Sequence, residues 1–143
     1  MTFEQQIAAF IKKAKENPEK LSRQVSIKLF SAVILATPVD TGRLRMNWQA
    51  AGDSPASGNV SGTDTSGGLA IRNTINFVNN DPNWKVFTLA NNLPYAQKIE
   101  YGGYPGNGPN TIGGYSKQAP AGMVRINVSR FQRLINDALR DIR

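Results

Sequence analysis

Two residue types are missing from this 143-residue chain, cysteine and histidine, and a third class, the acids, is scarce. Without cysteine there are no disulfides, thiolate nucleophiles, zinc ribbons or iron–sulfur clusters. Without histidine, proton transfer near neutral pH falls to carboxylates or lysines, whose pKa must first be shifted. No apolar run approaches the ~20 residues that a membrane-spanning helix needs. The opening residues, with Glu4, Gln5 and Gln6, do not read as a secretory signal. The expectation is a soluble protein made in a cytoplasm, with no membrane partner. Catalytic signatures are missing as well: there is no phosphate-binding glycine loop, nucleophile elbow, pair of metal-ligating carboxylates or nicotinamide fingerprint. Neither enzymatic activity nor a cofactor nor a metal is expected.

A chain of this length can hide ~68% of the surface its unfolded form exposes, so a single domain over residues 1–143 needs no covalent staples. Its 17 lysines and arginines against 10 aspartates and glutamates leave a formal charge of +7. Such a surplus suits acidic protein partners or the phosphates of nucleic acid. Lys12, Lys13, Lys15, Lys20, Arg23 and Lys28 fall in the first two helical patterns; Arg125, Arg130, Arg133, Arg140 and Arg143 fall in the last. Glu4, Glu16, Glu19, Asp137 and Asp141 are scattered among them, which reads as solvated helix faces complementing acidic proteins. No helix-turn-helix, zinc finger or aromatic RNA-binding motif accompanies the charge, and this argues against sequence-specific recognition of nucleic acid.

Phe3, Ile7, Phe10, Ile11 and Ala14 recur at helical spacing and predict an amphipathic N-terminal helix or arm over residues 1–16, docked on its own subunit or on a neighbour. Asn17-Pro18-Glu19 supplies an N-cap, a first-turn proline and an early carboxylate for a central helix ending near Ala36. Its apolar stripe of Leu21, Val25, Leu29 and Ala32 widens through Ile27, Phe30, Val33, Ile34 and Leu35, so it needs cover on more than one side. From Leu44 to Ala51 the residues alternate, Leu44, Met46, Trp48 and Ala50 against Arg45, Asn47 and Gln49, and predict a half-buried strand.

Residues 52–68, rich in Gly, Ser, Thr and Asp, have little to bury and read as a flexible loop. Leu69 to Val78 fits either period, with helix preferred. Lys85 to Ala90 is strand-like, and a short helix opens at Pro94 and closes at Gly102-Gly103. A glycine-rich loop over 102–118 carries Tyr104 and Tyr115, candidates for an adhesive surface because tyrosine buries much area at small entropic cost. Residues 120–143 predict a terminal helix through Val124, Val128, Phe131, Ile135, Ala138 and Ile142, although Val124, Ile126 and Val128 also alternate and allow a start as late as Ser129. Asn59-Val60-Ser61 and Asn127-Val128-Ser129 fit the glycosylation sequon, but no secretory signal accompanies them. The expected fold class is α+β: a long central helix and a C-terminal helix packed on a small antiparallel sheet of three or four strands, with long Gly/Ser-rich loops.

Between the central helix and the strand stands Thr37-Pro38-Val39-Asp40-Thr41-Gly42-Arg43-Leu44-Arg45-Met46-Asn47-Trp48. Pro38 disfavours helical geometry at Thr37, Asp40 and Thr41 can bond nearby amides, and Gly42 permits a tight change of direction. This corner resembles a segment of the tail-completion or head–tail joining (neck) proteins of long-tailed bacteriophages. There a hydrophobic helix runs into Thr/Ser-Pro-Val-Asp-Thr-Gly-Arg-Leu-Arg, followed by a tryptophan. Two further blocks, in the same order, are similar to that family. One is Asn91-Asn92-Leu93-Pro94-Tyr95-Ala96 leading to Glu100-Tyr101-Gly102, and the other is Gln118-Ala119-Pro120-Ala121-Gly122-Met123-Val124, which opens the terminal helix. The resemblance runs from Leu21 to Arg143, and the loop 102–118 is longer than its counterpart in the family.

The resemblance implies a virion structural protein of the neck or upper tail, made in the host bacterial cytoplasm. It would form a ring of its own copies, hexameric in the family, and join head to tail around the DNA channel. Its partners would be other neck, connector and tail-tube proteins, with non-specific contact to the genomic DNA left open. Structural roles are implied for Asp40, Thr41, Gly42, Arg43, Arg45, Trp48, Tyr95, Glu100 and Gly102. A pairing of Glu100 with Arg43 or Arg45 would tie the corner to the short helix. Tyr104, Tyr115, Arg130 and Arg133 are the candidate interface residues. Two rivals remain: a basic, non-enzymatic nucleic-acid-binding module, and a small hydrolase working through Glu100 or an aspartate. The second lacks the paired carboxylates of glycosidase-type chemistry.

Overall fold

The computed structural model describes residues 2–104, 106 and 108–142. In chain order the elements are α1 (Phe3–Glu16), α2 (Pro18–Ala36), α3 (Arg43–Met46), β1 (Gln49–Ala51), α4 (Gly68–Asn80), β2 (Thr88–Ala90), α5 (Ala96–Tyr101), β3 (Thr111–Ile112), β4 (Tyr115–Ser116) and α6 (Val124–Ile142). The fold is α+β, and the central and C-terminal helices are its longest elements. Among the described residues no helix is long and apolar enough to cross a membrane.

The central helix begins as its cap signals require: the Asn17 side chain accepts from the Lys20 amide at 3.1 Å, and Pro18 stands in the first turn. Arg23 meets Glu19 one turn back at 2.9 Å. The helix stops at Thr37, whose backbone turns extended (φ −75, ψ 129) ahead of Pro38. In α4 the helical period wins over the strand-like one because Ala70, Thr74 and Val78, four residues apart, are its buried positions.

The predicted strand from Leu44 is shorter than expected. Residues 43–46 form the helical turn α3, and only Gln49–Ala51 is extended. Leu44 and Trp48, four residues apart, satisfy a period of two and a period of 3.6 equally, so alternation alone could not separate the two. Gly42 decides it by presenting its carbonyl to the Met46 amide at 3.1 Å. The correction reverses one side chain: Asn47, expected on the polar face of a strand, is fully buried.

The strands form two separate antiparallel pairs instead of one sheet. Gln49, Ala50 and Ala51 pair with Ala90, Leu89 and Thr88, while Thr111 and Ile112 pair with Ser116 and Tyr115 across a Gly113-Gly114 turn. The second pair gives the loop 102–118 a hairpin of its own. The core gathers where Val33 and Ile34 of α2 meet Leu44, Trp48, Ala70, Leu93, Ala96, Ile99, Ala119 and Met123. Farther up α2, Leu21, Val25 and Leu29 are only half-buried, with α1 running beside α6 and α2. The predicted apolar positions Phe3, Ile7, Phe10, Ile11 and Ala14, and Ile135, Ala138 and Ile142, lie outside the described side chains, as does Arg143.

Candidate functional site

The corner is built outward from Thr37. Its hydroxyl donates to the Val33 carbonyl at 2.7 Å and accepts from the Trp48 indole at 2.8 Å, so a buried Trp finds the partner it needs inside the core. Arg45 then closes the end of α2. Its Nε donates to the Thr37 carbonyl at 2.9 Å, Nη2 to the Leu35 carbonyl at 3.0 Å and Nη1 to the Thr65 carbonyl at 2.8 Å. The last turn of α2 has no basic residue of its own, so a guanidinium from the following turn supplies the cation that the helix C-terminus favours.

Gly42 has φ +90, and a Cβ there would sit 2.8 Å from backbone atoms of Asp64 and Thr65. Through that opening the Asp64 amide reaches the Gly42 carbonyl at 2.9 Å. Asp64 itself is buried and caps α4, accepting from the Gly67 amide at 3.2 Å and the Ala70 amide at 2.8 Å. The segment 52–68, expected to be a flexible loop, is thus tied down along its length. Asn47 exchanges bonds with Val60 (2.8 and 3.2 Å), and Gln49 and Asn92 donate to the Gly58 carbonyl. Side-chain amides satisfy the backbone of a stretch that has no ladder to join.

Glu100 does not pair with Arg43 or Arg45. It is buried and caps α6: Oε2 accepts from the Met123 and Val124 amides at 2.6 and 2.8 Å, and Oε1 from the amide and Nε of Arg125 at 2.9 and 3.0 Å. Arg125 also donates to the Glu100 carbonyl. Three amides at the start of α6 together with the Arg125 guanidinium satisfy the carboxylate there, while Arg45 is already shared among three carbonyls. Burial alone would raise the Glu100 pKa, but the bonds from Val124, Arg125 and Met123 outweigh it and hold the carboxyl below its usual value. The Tyr115 hydroxyl, then Glu100, hold the Arg125 guanidinium above its own. Gly122 (φ +84) makes room, because a Cβ there would lie 2.8 Å from the Glu100 carbonyl oxygen.

Between the corner and the hairpin lies a half-open cleft of about 370 Å³, with Asp40, Thr41 and Arg43 on one rim, Asn110 and Thr111 on the other, and Leu44, Tyr95 and Ile99 beneath. Gln118 closes one side, accepting from the Val39 amide at 2.8 Å and donating to its carbonyl at 3.1 Å. Tyr95 and Tyr104 both line this cleft and are half-buried against the core, with the Lys98 ammonium 5.4 Å from the Tyr104 ring. Tyr115 is half-buried against Gly102, which ends α5. Both tyrosines therefore spend much of their surface inside the molecule and offer less of it for adhesion than expected. Arg130 and Arg133 are exposed on α6.

Sequence reasoning missed Asp64, Asn47 and Arg125. Asp64-Thr65-Ser66-Gly67 just before an apolar helical run is a cap signal that could have been read. The pairing of Glu100 with residues 123–125 has no local signal. Compared with known proteins, the chain matches no family model, no curated protein and no solved structure.

Proposed function

We propose that this chain is a structural protein of a long-tailed phage particle, standing at the neck or upper tail, where its copies close a ring around the DNA channel and join head to tail. One observation carries the reading: the three blocks that resemble the neck family meet in space. Asn91 of the second donates to the Leu44 carbonyl of the first at 2.8 Å. Gln118 of the third grips Val39 of the first, and Glu100 of the second caps the helix that the third opens. Blocks that support one another form one structural unit, and this supports taking the three likenesses together.

The chemistry supports action by fitting and not by transforming a substrate. Glu100, the acid first in line for a hydrolase, already accepts four hydrogen bonds and has no vacancy for a substrate proton. Deleting the gene from the phage that carries it should leave DNA-filled heads and separate tails, and purified protein should join them. Normal yields of infectious particles from the deletion would falsify the reading.

A basic nucleic-acid-binding module is the second reading, favoured by Arg130 and Arg133 standing exposed on α6. It predicts duplex binding by the isolated chain, with an affinity that falls steeply as salt rises. No binding at low salt would remove it.

A further inference from the structure

We propose that copies of this chain dock head to tail, with Tyr101 of one copy entering the cleft between the corner and the hairpin of the next. This rests on the ring reading and names the contact that would build the ring. Tyr101 is 64% exposed, the most open of the large apolar side chains described. It is also held still: the Arg125 guanidinium stacks over its ring at 4.6 Å and is itself fixed by Glu100. A rigid aromatic beside an anchored arginine loses little freedom on binding, and such side chains form the centres of tight interfaces. The cleft offers about 370 Å³ with a mixed lining, Leu44, Tyr95 and Ile99 beside polar residues, room for one amphipathic aromatic side chain with its polar tip toward Asp40.

Placement and charge both point to a second copy as the occupant. Ile99 faces the cleft, and Tyr101, two residues on, lies ~200° around α5. Projection and cleft are therefore on opposite sides of one short helix, as a head-to-tail contact requires, and such contacts repeat into rings or filaments. On a chain of +7, copies repel over most of their surface. Here the Arg125 charge is met inside by Glu100, and the rim carries Asp40 together with Arg43.

The absence of cysteine makes the contact directly testable. Gln97 and Thr41 are exposed, beside Tyr101 and on the cleft rim respectively. The double variant Gln97→Cys/Thr41→Cys, treated with a short bis-maleimide, should give a ladder of covalent oligomers extending beyond the dimer, whereas either single variant should stop at the dimer. Adding Tyr101→Ala, or Asn110→Trp to fill the cleft, should cut the ladder about tenfold or more. Circular dichroism should stay that of the parent. No species beyond the dimer, or a ladder indifferent to both changes, overturns the proposal. If the deletion phage still accumulates unjoined heads and tails, a missing ladder sinks only this docking mode; normal particles sink the ring reading with it.

Discussion

Asp64 and Glu100 solve the same problem at two places in the molecule, and the difference between them separates local order from global architecture. Each is a buried carboxylate that caps a helix, and each works beside a glycine with positive φ where a Cβ would meet the acid's own residue at 2.8 Å. Asp64 caps a helix that starts only a few residues later, so its bonds organise a loop. Glu100 reaches 23 to 25 residues along the chain, brings an arginine with it, and fixes where the terminal helix sits on the core. The local cap sets a conformation, and the distant one sets a topology.

The sharpest way to break the parallel is to remove both acids in turn. Glu100→Ala leaves three amides and the Arg125 guanidinium without their acceptor, and should cost about 3 kcal/mol in urea unfolding. Asp64→Ala should cost about 1–2 kcal/mol, the range of a lost N-cap. If the two losses prove equal, the distinction between local and distant caps is wrong.

The glycines probe the same comparison from the other side. Gly42→Ala and Gly122→Ala each force a side chain into left-handed backbone and into a neighbour at 2.8 Å, and each should cost about 2 kcal/mol or more. Gly122→Ala should also disorder the start of α6 in amide exchange, while Gly42→Ala should expose the amides of residues 60–70.

Acid should weaken the Glu100 cap. The Glu100 pKa is lowered in the fold, so its contribution is complete above the unfolded value and drains away as pH falls through the folded one. Stability should decline on the acid side of the ordinary glutamate value of 4.5, and Glu100→Gln should flatten that decline in a series of unfolding curves.

Legibility in the sequence followed the range of the interaction. The cap and proline of α2, the glycine at the corner and the helical period of α4 are local signals, and each was readable. The strand forecast from Leu44 failed because two positions four apart cannot tell a strand from a helical turn. Glu100 was singled out but given the wrong partner. An acid's choice among several arginines and a distant helix end depends on which elements meet, and no window of sequence contains that. Asn47 looked like a surface amide for the same reason, since its partner Val60 belongs to a loop whose path is set by tertiary contacts.

The smallest expected effect on stability concerns the charges that neither cap consumes. Because Asp64 and Glu100 are turned inward, the exposed cations of α6 face a surface poorer in acids than the composition suggests. Arg130→Gln together with Arg133→Gln removes two of them from solvent-exposed positions, and should change unfolding free energy by less than about 0.5 kcal/mol. The informative quantity is association. If these arginines meet phosphate, the double variant should shed about two units of salt-dependence slope in duplex binding. If they meet an acidic protein ring instead, duplex binding should be weak in both forms, and the loss should appear in how efficiently purified protein joins heads to tails. A variant that folds, binds and joins like the parent would leave the surplus charge of α6 with no role beyond solubility.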